Sequence, residues 1–341
     1  MADTNKILVT YLMHLGDLLL TTPFLQALRR AYPMAKIDYL VDEKLADVVR
    51  YNPNIDNVLT IDKKGKDNSI GAIYKYARVL SQNNYDLLIN LHPNERTSFL
   101  CAVTKSKRKV GASHKLFTIF FDKVIKLDKK IHAADMYLKV LSQLNITTDL
   151  TNEGLQMPVC EQAQAFVQDF YTRQGVCNSD KLIGFNIGSA VLTKRWASER
   201  FAKVADYFAG KGYKIVFFGG SMDIELVEAA VANMHSKAII ATGKLSLQQL
   251  ATAMQCCALI ITNDSGPMHV AISQQVPIVA MYGPSIPDLY GPYTDKAIIV
   301  RSNPVCHGCE KTGMKHKCAD MQCMNNLTVE QVIEAGEKML C

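Results

Sequence analysis

CALIITNDSGPMHVAISQQVPIVAMYG, residues 257–283, decides the fold. Ala258–Thr262 is a short, continuous apolar run, the mark of a strand covered on both faces. Asn263-Asp264-Ser265-Gly266 supplies the small polar residues of a turn, and Pro267 stands where helices accept proline, near the first position. The pattern then predicts a helix over Pro267–Gln275 and a second buried strand over Pro277–Tyr282. A strand, helix and strand in so short a span is a right-handed crossover, the repeating unit of a parallel sheet.

Upstream, the same alternation continues. Strands are predicted at Lys181–Asn186, Lys214–Phe218 and Ala238–Ala241, and helices at Glu161–Gln174, Glu199–Gly210, Asp223–Asn233 and Leu247–Cys256. An independent series opens the chain. Its strands are Lys6–Tyr11, Ala35–Val41, Asn57–Ile61, Tyr85–Leu91 and a short one at Lys109–Val110. Its helices are Leu18–Ala31, Lys44–Tyr51, Gly71–Ser81 and another between the Tyr85–Leu91 and Lys109–Val110 strands. Thr328–Leu340 is predicted to close the chain as a helix. Two consecutive doubly wound series predict an α/β protein of two Rossmann-like parallel-sheet domains facing across a cleft, the second series starting after a polar stretch around Leu150–Pro158. The expected division is residues 1–155, residues 156–326 and a terminal helix over 327–341.

Bulk properties agree with this class. A chain of 341 residues is long for one α/β domain and comfortable for two. With 48% hydrophobic and 21% charged residues it has a globular composition, without repeats or low-complexity tracts. Asp17 interrupts the apolar N-terminal stretch and no small-residue cleavage site follows, so a buried first strand is expected there rather than a signal peptide. No segment approaches the roughly 20 apolar residues that span a bilayer, which points to a cytoplasmic protein. Ten cysteines in such a chain point to reduced thiols. Cys306, Cys309, Cys318 and Cys323, with His307 and His316, give one CxxC and looser spacing, a weak zinc pattern that leaves metal, disulfide and free thiol all open. The net charge of +6 is uneven: residues 1–150 hold 22 Lys and Arg against 15 Asp and Glu, the remainder 16 against 17. A basic first half is either a solvated face or a surface that meets something anionic, such as a phosphorylated glycolipid at a membrane. No arginine-rich run with interleaved aromatics supports nucleic acid as a partner.

Ligands of open parallel sheets sit beyond the carboxyl ends of the strands, so the loops leaving them are where chemistry is sought. After the first strand, His14-Leu15-Gly16-Asp17 puts a carboxylate near a helix start, where the ionised form is favoured; it is either a routine cap or a general base. After Lys181–Asn186 come Gly188-Ser189 and Thr193-Lys194-Arg195-Trp196, a basic loop suited to a pyrophosphate or merely solvated. Gly219-Gly220-Ser221-Met222-Asp223 offers a carboxylate to ribose hydroxyls. Asp264-Ser265-Gly266 leads into a helix whose first N–H groups form an anion site, with His269 in its first turns. No G-x-G-x-x-G follows a strand and no P-loop occurs, which disfavours dehydrogenases and P-loop enzymes.

In order along the chain, Leu15-Gly16-Asp17 with Pro23, Lys194-Arg195-Trp196, Gly219-Gly220, Asn263-Asp264-Ser265-Gly266-Pro267-Met268-His269 and Tyr282-Gly283-Pro284 resemble glycosyltransferase family 9, the ADP-heptose:lipopolysaccharide heptosyltransferases. The resemblance implies a GT-B fold, with a lipopolysaccharide-core acceptor on the N-terminal domain and ADP-heptose on the C-terminal one. It implies Asp17 as catalytic base and Gly188, Thr193, Lys194, Asp223, Asp264, Ser265, Gly266 and His269 as donor-binding residues. It implies inverting transfer without metal or other cofactor; the basic first half adds the expectation of peripheral contact with the inner membrane. Where relatives often hold Glu for the ribose, this chain has Asp223, with Glu225 nearby. Three rivals stay open: a GT-B transferase with another nucleotide-sugar donor, a non-catalytic relative that binds nucleotide or glycolipid, and a GT-B-like epimerase.

Overall fold

The computed structural model describes residues 4–147, 149–302, 309 and 318–341. The chain divides into two compact units, Met1–Gln156 and Met157–Cys341.

The first unit runs β1 (Lys6–Thr10), α1 (Leu15–Leu19), α2 (Thr22–Ala31), β2 (Lys36–Asp42), α3 (Ala46–Val49), β3 (Asn57–Ile61), α4 (Ile70–Ser81), β4 (Tyr85–Asn90), α5 (Glu95–Val103), β5 (Ser106–Gly111), β6 (Lys123–Val124) and α6 (Ala133–Gln143). A 3-10 turn, Glu43–Leu45, precedes α3, and a second, Lys115–Phe120, precedes β6. The six strands pair in parallel in the order β3-β2-β1-β4-β5-β6.

The second unit runs α7 (Glu161–Arg173), β7 (Leu182–Asn186), α8 (Ser198–Gly210), β8 (Lys214–Phe218), α9 (Ile224–Ala232), β9 (Ala238–Ile240), α10 (Leu247–Gln255), β10 (Cys257–Asn263), α11 (Gly266–Ser273), β11 (Ile278–Met281), α12 (Pro287–Tyr290), β12 (Ala297–Val300), α13 (Gln322–Asn325) and α14 (Val329–Leu340). Its parallel order is β12-β11-β10-β7-β8-β9. In each sheet the first strand is central and the chain reverses direction of growth beside it. The reversal falls between β1 and β4 in one unit, and between β7 and β10 in the other. A crevice opens at the strand ends of such a point because the flanking loops leave on opposite faces.

The central strands are mostly apolar, with asparagine ending β4, β7 and β10, and every residue of β7 is buried. The core of the second unit gathers Phe185, Phe201, Phe208, Phe217 and Leu259 with Leu327 and, from α14, Val332. The only tryptophan, Trp196, is 1% exposed; its Nε1 donates to Leu327 O at 3.0 Å, which ties the loop after β7 to the start of α14.

Several elements differ from the sequence expectation. Leu18–Ala31 is not one helix but two. Thr21 and Thr22 hydroxyls donate to Leu18 O and Leu19 O at 2.7 Å, and Pro23 has no N–H to continue the ladder, so the chain restarts as α2. The short strand expected at Lys109–Val110 extends over six residues, and α6, β6 and β12 were not anticipated.

Replacing Leu327, fully buried in the second core, with Ala should lower unfolding free energy by about 2–5 kcal/mol. Urea titration followed by Trp196 fluorescence measures this directly, because that indole packs in the same cluster.

Candidate active site

The reversal point of the second unit brings together the loop after β7 and the turn after β10. Asn263, at the end of β10, laces them: its Nδ2 donates to Ile187 O at 2.8 Å and its Oδ1 accepts from the Trp196 N–H at 3.2 Å. Ser189 Oγ donates to Asp264 O at 3.2 Å, and Arg195 Nε donates back to Ser189 O at 2.7 Å. Arg195 therefore braces its own loop, which the sequence left as a basic residue beside Lys194.

Lys194 and Asp264 form an ion pair at 2.5 Å, with side chains only 14% and 8% exposed. Ser285, fully buried after the Tyr282-Gly283-Pro284 turn, donates to the same carboxylate oxygen, Oδ2. Taking two charges out of water costs several kcal/mol each, so a pair this dry does little for stability by itself. Its consequence is positional: it fixes the ammonium. An ammonium has three donors, and the bond to Asp264 uses one.

Ser265 is the N-cap of α11, yet its side chain makes no cap bond. Its Oγ instead accepts from Asn186 Nδ2 at 2.8 Å, while the same amide reaches Thr262 Oγ1 at 3.0 Å. A hydroxyl that accepts from an amide keeps its own proton to donate elsewhere. Pro267 contributes no N–H, and that of Met268 goes to Ser265 O at 3.2 Å. The backbone donors the turn can offer are those of Ser265 and Gly266, beside the Ser265 hydroxyl. His269 lies one turn into α11 and is 5% exposed, and Thr193 is buried in the 3-10 turn that delivers Lys194.

Gly188 and Asp223 are also adjacent. A Cβ built on Gly188 would lie 2.2 Å from Asp223 Oδ1, so any side chain there requires that carboxylate to move. The other oxygen, Oδ2, accepts from the Gly220 N–H at 2.9 Å and closes the turn after β8. Asp223 thus organises its own turn with one oxygen before any ribose could be bound with the other.

In the first unit the reversal point carries Asp17. It is in the first turn of α1, whose N-cap is His14, so Asp17 does not serve as the cap. Its neighbour Tyr11 is held well above the ordinary phenol value, first by burial, then by Tyr137 and by the Asp17 carboxylate. Tyr11 and Tyr137 hydroxyls meet at 2.8 Å, and the Tyr11 and His92 rings lie 5.6 Å apart. Burial, then the charges of Lys63 and His14, push His92 down to about 4, so its imidazole is neutral at physiological pH. Asn90, fully buried at the end of β4, accepts from Thr10 Oγ1 at 2.8 Å and from the His92 N–H at 3.1 Å, and fixes the loop. Lys63 Nζ joins Asp42 and Leu12 O, each at 2.8 Å, and so ties the ends of β1, β2 and β3.

The family model described as glycosyltransferase family 9 (heptosyltransferase) matches residues 73–319. The chain belongs to that family. This family 9 chain is a glycosyltransferase of GT-B fold. A solved glycosyl transferase family 9 structure from Veillonella parvula DSM 2008 is 50% identical, with TM-score 0.94, and the match covers 100% of this chain and 98% of that one. Lipopolysaccharide heptosyltransferase 3 of Escherichia coli K12 is 26% identical over 336 residues, 95% of each chain. The solved E. coli heptosyltransferase WaaC with ADP is 19% identical, with TM-score 0.76 over 98% of this chain and 99% of that one, and shares the fold.

Sequence reasoning missed Asn186, Ser285, Tyr11, His92 and Tyr137, and read Asn263 only as part of a turn. An asparagine ending an apolar strand is a legible signal for Asn186 and for the lacing role of Asn263, because a buried amide at a strand end has a loop to hold. Tyr137 came with the unanticipated α6. Among the described residues no group of three or more His, Cys, Asp or Glu is placed to hold a metal. Of the late cysteine cluster, Cys306, His307 and His316 lie outside the described residues; Cys323 is buried.

Gly188→Ala should destabilise the second unit by about 1–3 kcal/mol, and the cost should shrink in an Asp223→Ala background, where the clashing carboxylate is gone; a double-mutant cycle reads the coupling. A second expectation concerns His92, 8% exposed. Its folded pKa of about 4 lies below the ordinary 6.5, so as pH falls the unfolded chain takes up the proton first. The full stability is present above 6.5 and is lost between 6.5 and 4, by on the order of 3 kcal/mol. His92→Gln should flatten that part of a stability–pH curve.

Proposed function

We propose that this chain transfers heptose from ADP-heptose to a lipopolysaccharide inner-core acceptor, inverting the anomeric carbon, with Asp17 as general base. Family membership supports the reaction class. The observation that carries the donor site is the Lys194–Asp264 pair beside the Ser265–Gly266 turn, at the reversal point between β7 and β10. A diphosphate needs a fixed cation and aligned N–H donors, and this cluster supplies both from rigid strand ends.

In this reading the Asp17 carboxylate accepts the proton of an acceptor hydroxyl as that oxygen bonds to the anomeric carbon. The bond from this carbon to the β-phosphate oxygen breaks, and ADP leaves with the electron pair. Lys194, the Ser265 hydroxyl and the N–H groups of Ser265 and Gly266 stabilise the charge that builds on the departing diphosphate. Asp264 holds the lysine, and Gly188, Thr193, Asp223 and His269 shape the nucleotide end. The E. coli WaaC structure of the same fold contains ADP, which favours adenine as the base. Among the described residues no helix is long and apolar enough to cross a membrane. A cytoplasmic protein working at the inner-membrane surface, where such acceptors are built, fits the basic first half.

Asp17→Asn should lower turnover with ADP-heptose and a truncated core acceptor about 10²–10⁴-fold, while an ADP-induced rise in melting temperature stays as in wild type. Turnover within a few-fold of wild type would remove Asp17 from the role of base. Thermal shift with ADP, UDP and GDP tests the donor separately; the largest shift is expected with ADP, and a larger one with UDP would reassign the nucleotide.

A further inference from the structure

The charge excess of the first unit is concentrated in one place. Residues 105–130 hold nine Lys or Arg against two Asp, and the rest of residues 1–150 is balanced at thirteen of each. This span forms the β5–β6 edge of the sheet, with the 3-10 turn Lys115–Phe120 between the two strands.

The same span turns apolar side chains into solvent. Leu116 is 69% exposed, Ile119 85%, Phe120 50% and Val124 43%. Single exposed apolar residues are ordinary, but four within nine positions are not. Nor is the turn loose. Phe117 packs on Phe99 of α5 with ring centroids 5.8 Å apart, Phe121 is buried in the core of the unit, and the His114 N–H donates to Ser98 Oγ at 2.8 Å. Two aromatic side chains anchor the turn inward while its other apolar groups are held outward. Around it Lys115, Lys126, Lys129 and Lys130 are exposed, whereas Lys107 reaches Asp86 and Lys109 is turned onto Ala102 O.

We propose that residues 105–130 are a docking face for an anionic lipid bilayer, with Leu116, Ile119 and Phe120 entering the boundary between headgroups and acyl chains and the lysines lying over lipid phosphates. Charge complementarity selects this occupant. A protein partner able to cover the apolar turn would have to match seven net positive charges at fixed positions, while a mobile anionic lipid surface does so without any fixed arrangement. Either signal alone binds weakly, and apolar insertion with a basic ring supplies two. The proposal deepens the membrane-surface part of the functional reading but needs neither donor nor acceptor, so the two can fail separately.

The test is co-sedimentation of the full chain with phosphatidylglycerol–phosphatidylethanolamine vesicles and with pure phosphatidylcholine vesicles. Binding is expected to the first set, to weaken as salt rises, and to be much weaker to the second. Ile119→Asp/Phe120→Asp should reduce partitioning by about ten-fold or more per side chain at unchanged melting temperature. Lys115→Glu/Lys126→Glu/Lys129→Glu should remove the preference for anionic lipid, and it decides alone if the first variant does not fold. Wild-type protein that stays in the supernatant, or variants that bind like wild type, would overturn the proposal. So would an absence of vesicle binding together with a wild-type dimer that Ile119→Asp/Phe120→Asp breaks, which would make the face a contact between copies.

Discussion

The bond between Lys194 and Asp264 is the constraint around which the second unit is arranged. Neither residue belongs to a regular strand: one ends a 3-10 turn after β7, the other starts the turn after β10. Two loops meet at that point only because β7 and β10 are neighbours in the sheet, and they are neighbours because the chain reverses there. Asn263, Ser189, Arg195 and Ser285 then serve to hold the pair in place. A nearly dry ion pair with four supporting hydrogen-bonded groups is costly to assemble for stability alone. It makes sense as a preorganised cation, whose orientation is settled before a ligand arrives.

The first unit repeats the frame with different chemistry. Both sheets place a fully buried asparagine at the end of the strand across the reversal, Asn90 in β4 and Asn263 in β10, and in both the amide ties loops together. Beyond it the second unit presents a lysine, a hydroxyl and backbone donors. The first presents a carboxylate beside a phenol held protonated and a histidine held neutral. Tyr11 and His92 thus carry no charge at neutral pH beside the Asp17 side chain. One scaffold is thereby used twice, with different polar groups at the two sets of strand ends.

Much of this was legible in the sequence because the fold writes itself in periodicity. Continuous apolar runs such as Ala258–Thr262 mark strands covered on both sides, and polar turns after them mark the functional edge. What escaped has physical reasons. β6 is two residues long and exists through pairing of Val110 with Lys123 and of Gly111 with Val124, which no local pattern announces. The break at Leu20–Thr21 depends on threonine hydroxyls turning back onto carbonyls, a competition that an apolar stripe hides. α6 is different: Met136, Tyr137, Val140 and Leu141 recur at helical spacing and could have been read. For the site, residue types were legible but pairings were not. Lys194 and Asp264 both stood out as donor-binding residues, yet nothing in a sequence says that they bind each other, or that Asp223 closes its own turn on Gly220.

The most direct test is a crystal structure of this chain with ADP, refined far enough to place both phosphates. The diphosphate is expected over the start of α11, with oxygens in hydrogen-bond range of the Ser265 and Gly266 N–H groups and of Lys194 Nζ. ADP seated at the ends of β1 and β4 beside Asp17, or with its phosphates away from the Lys194–Asp264 pair, would contradict it.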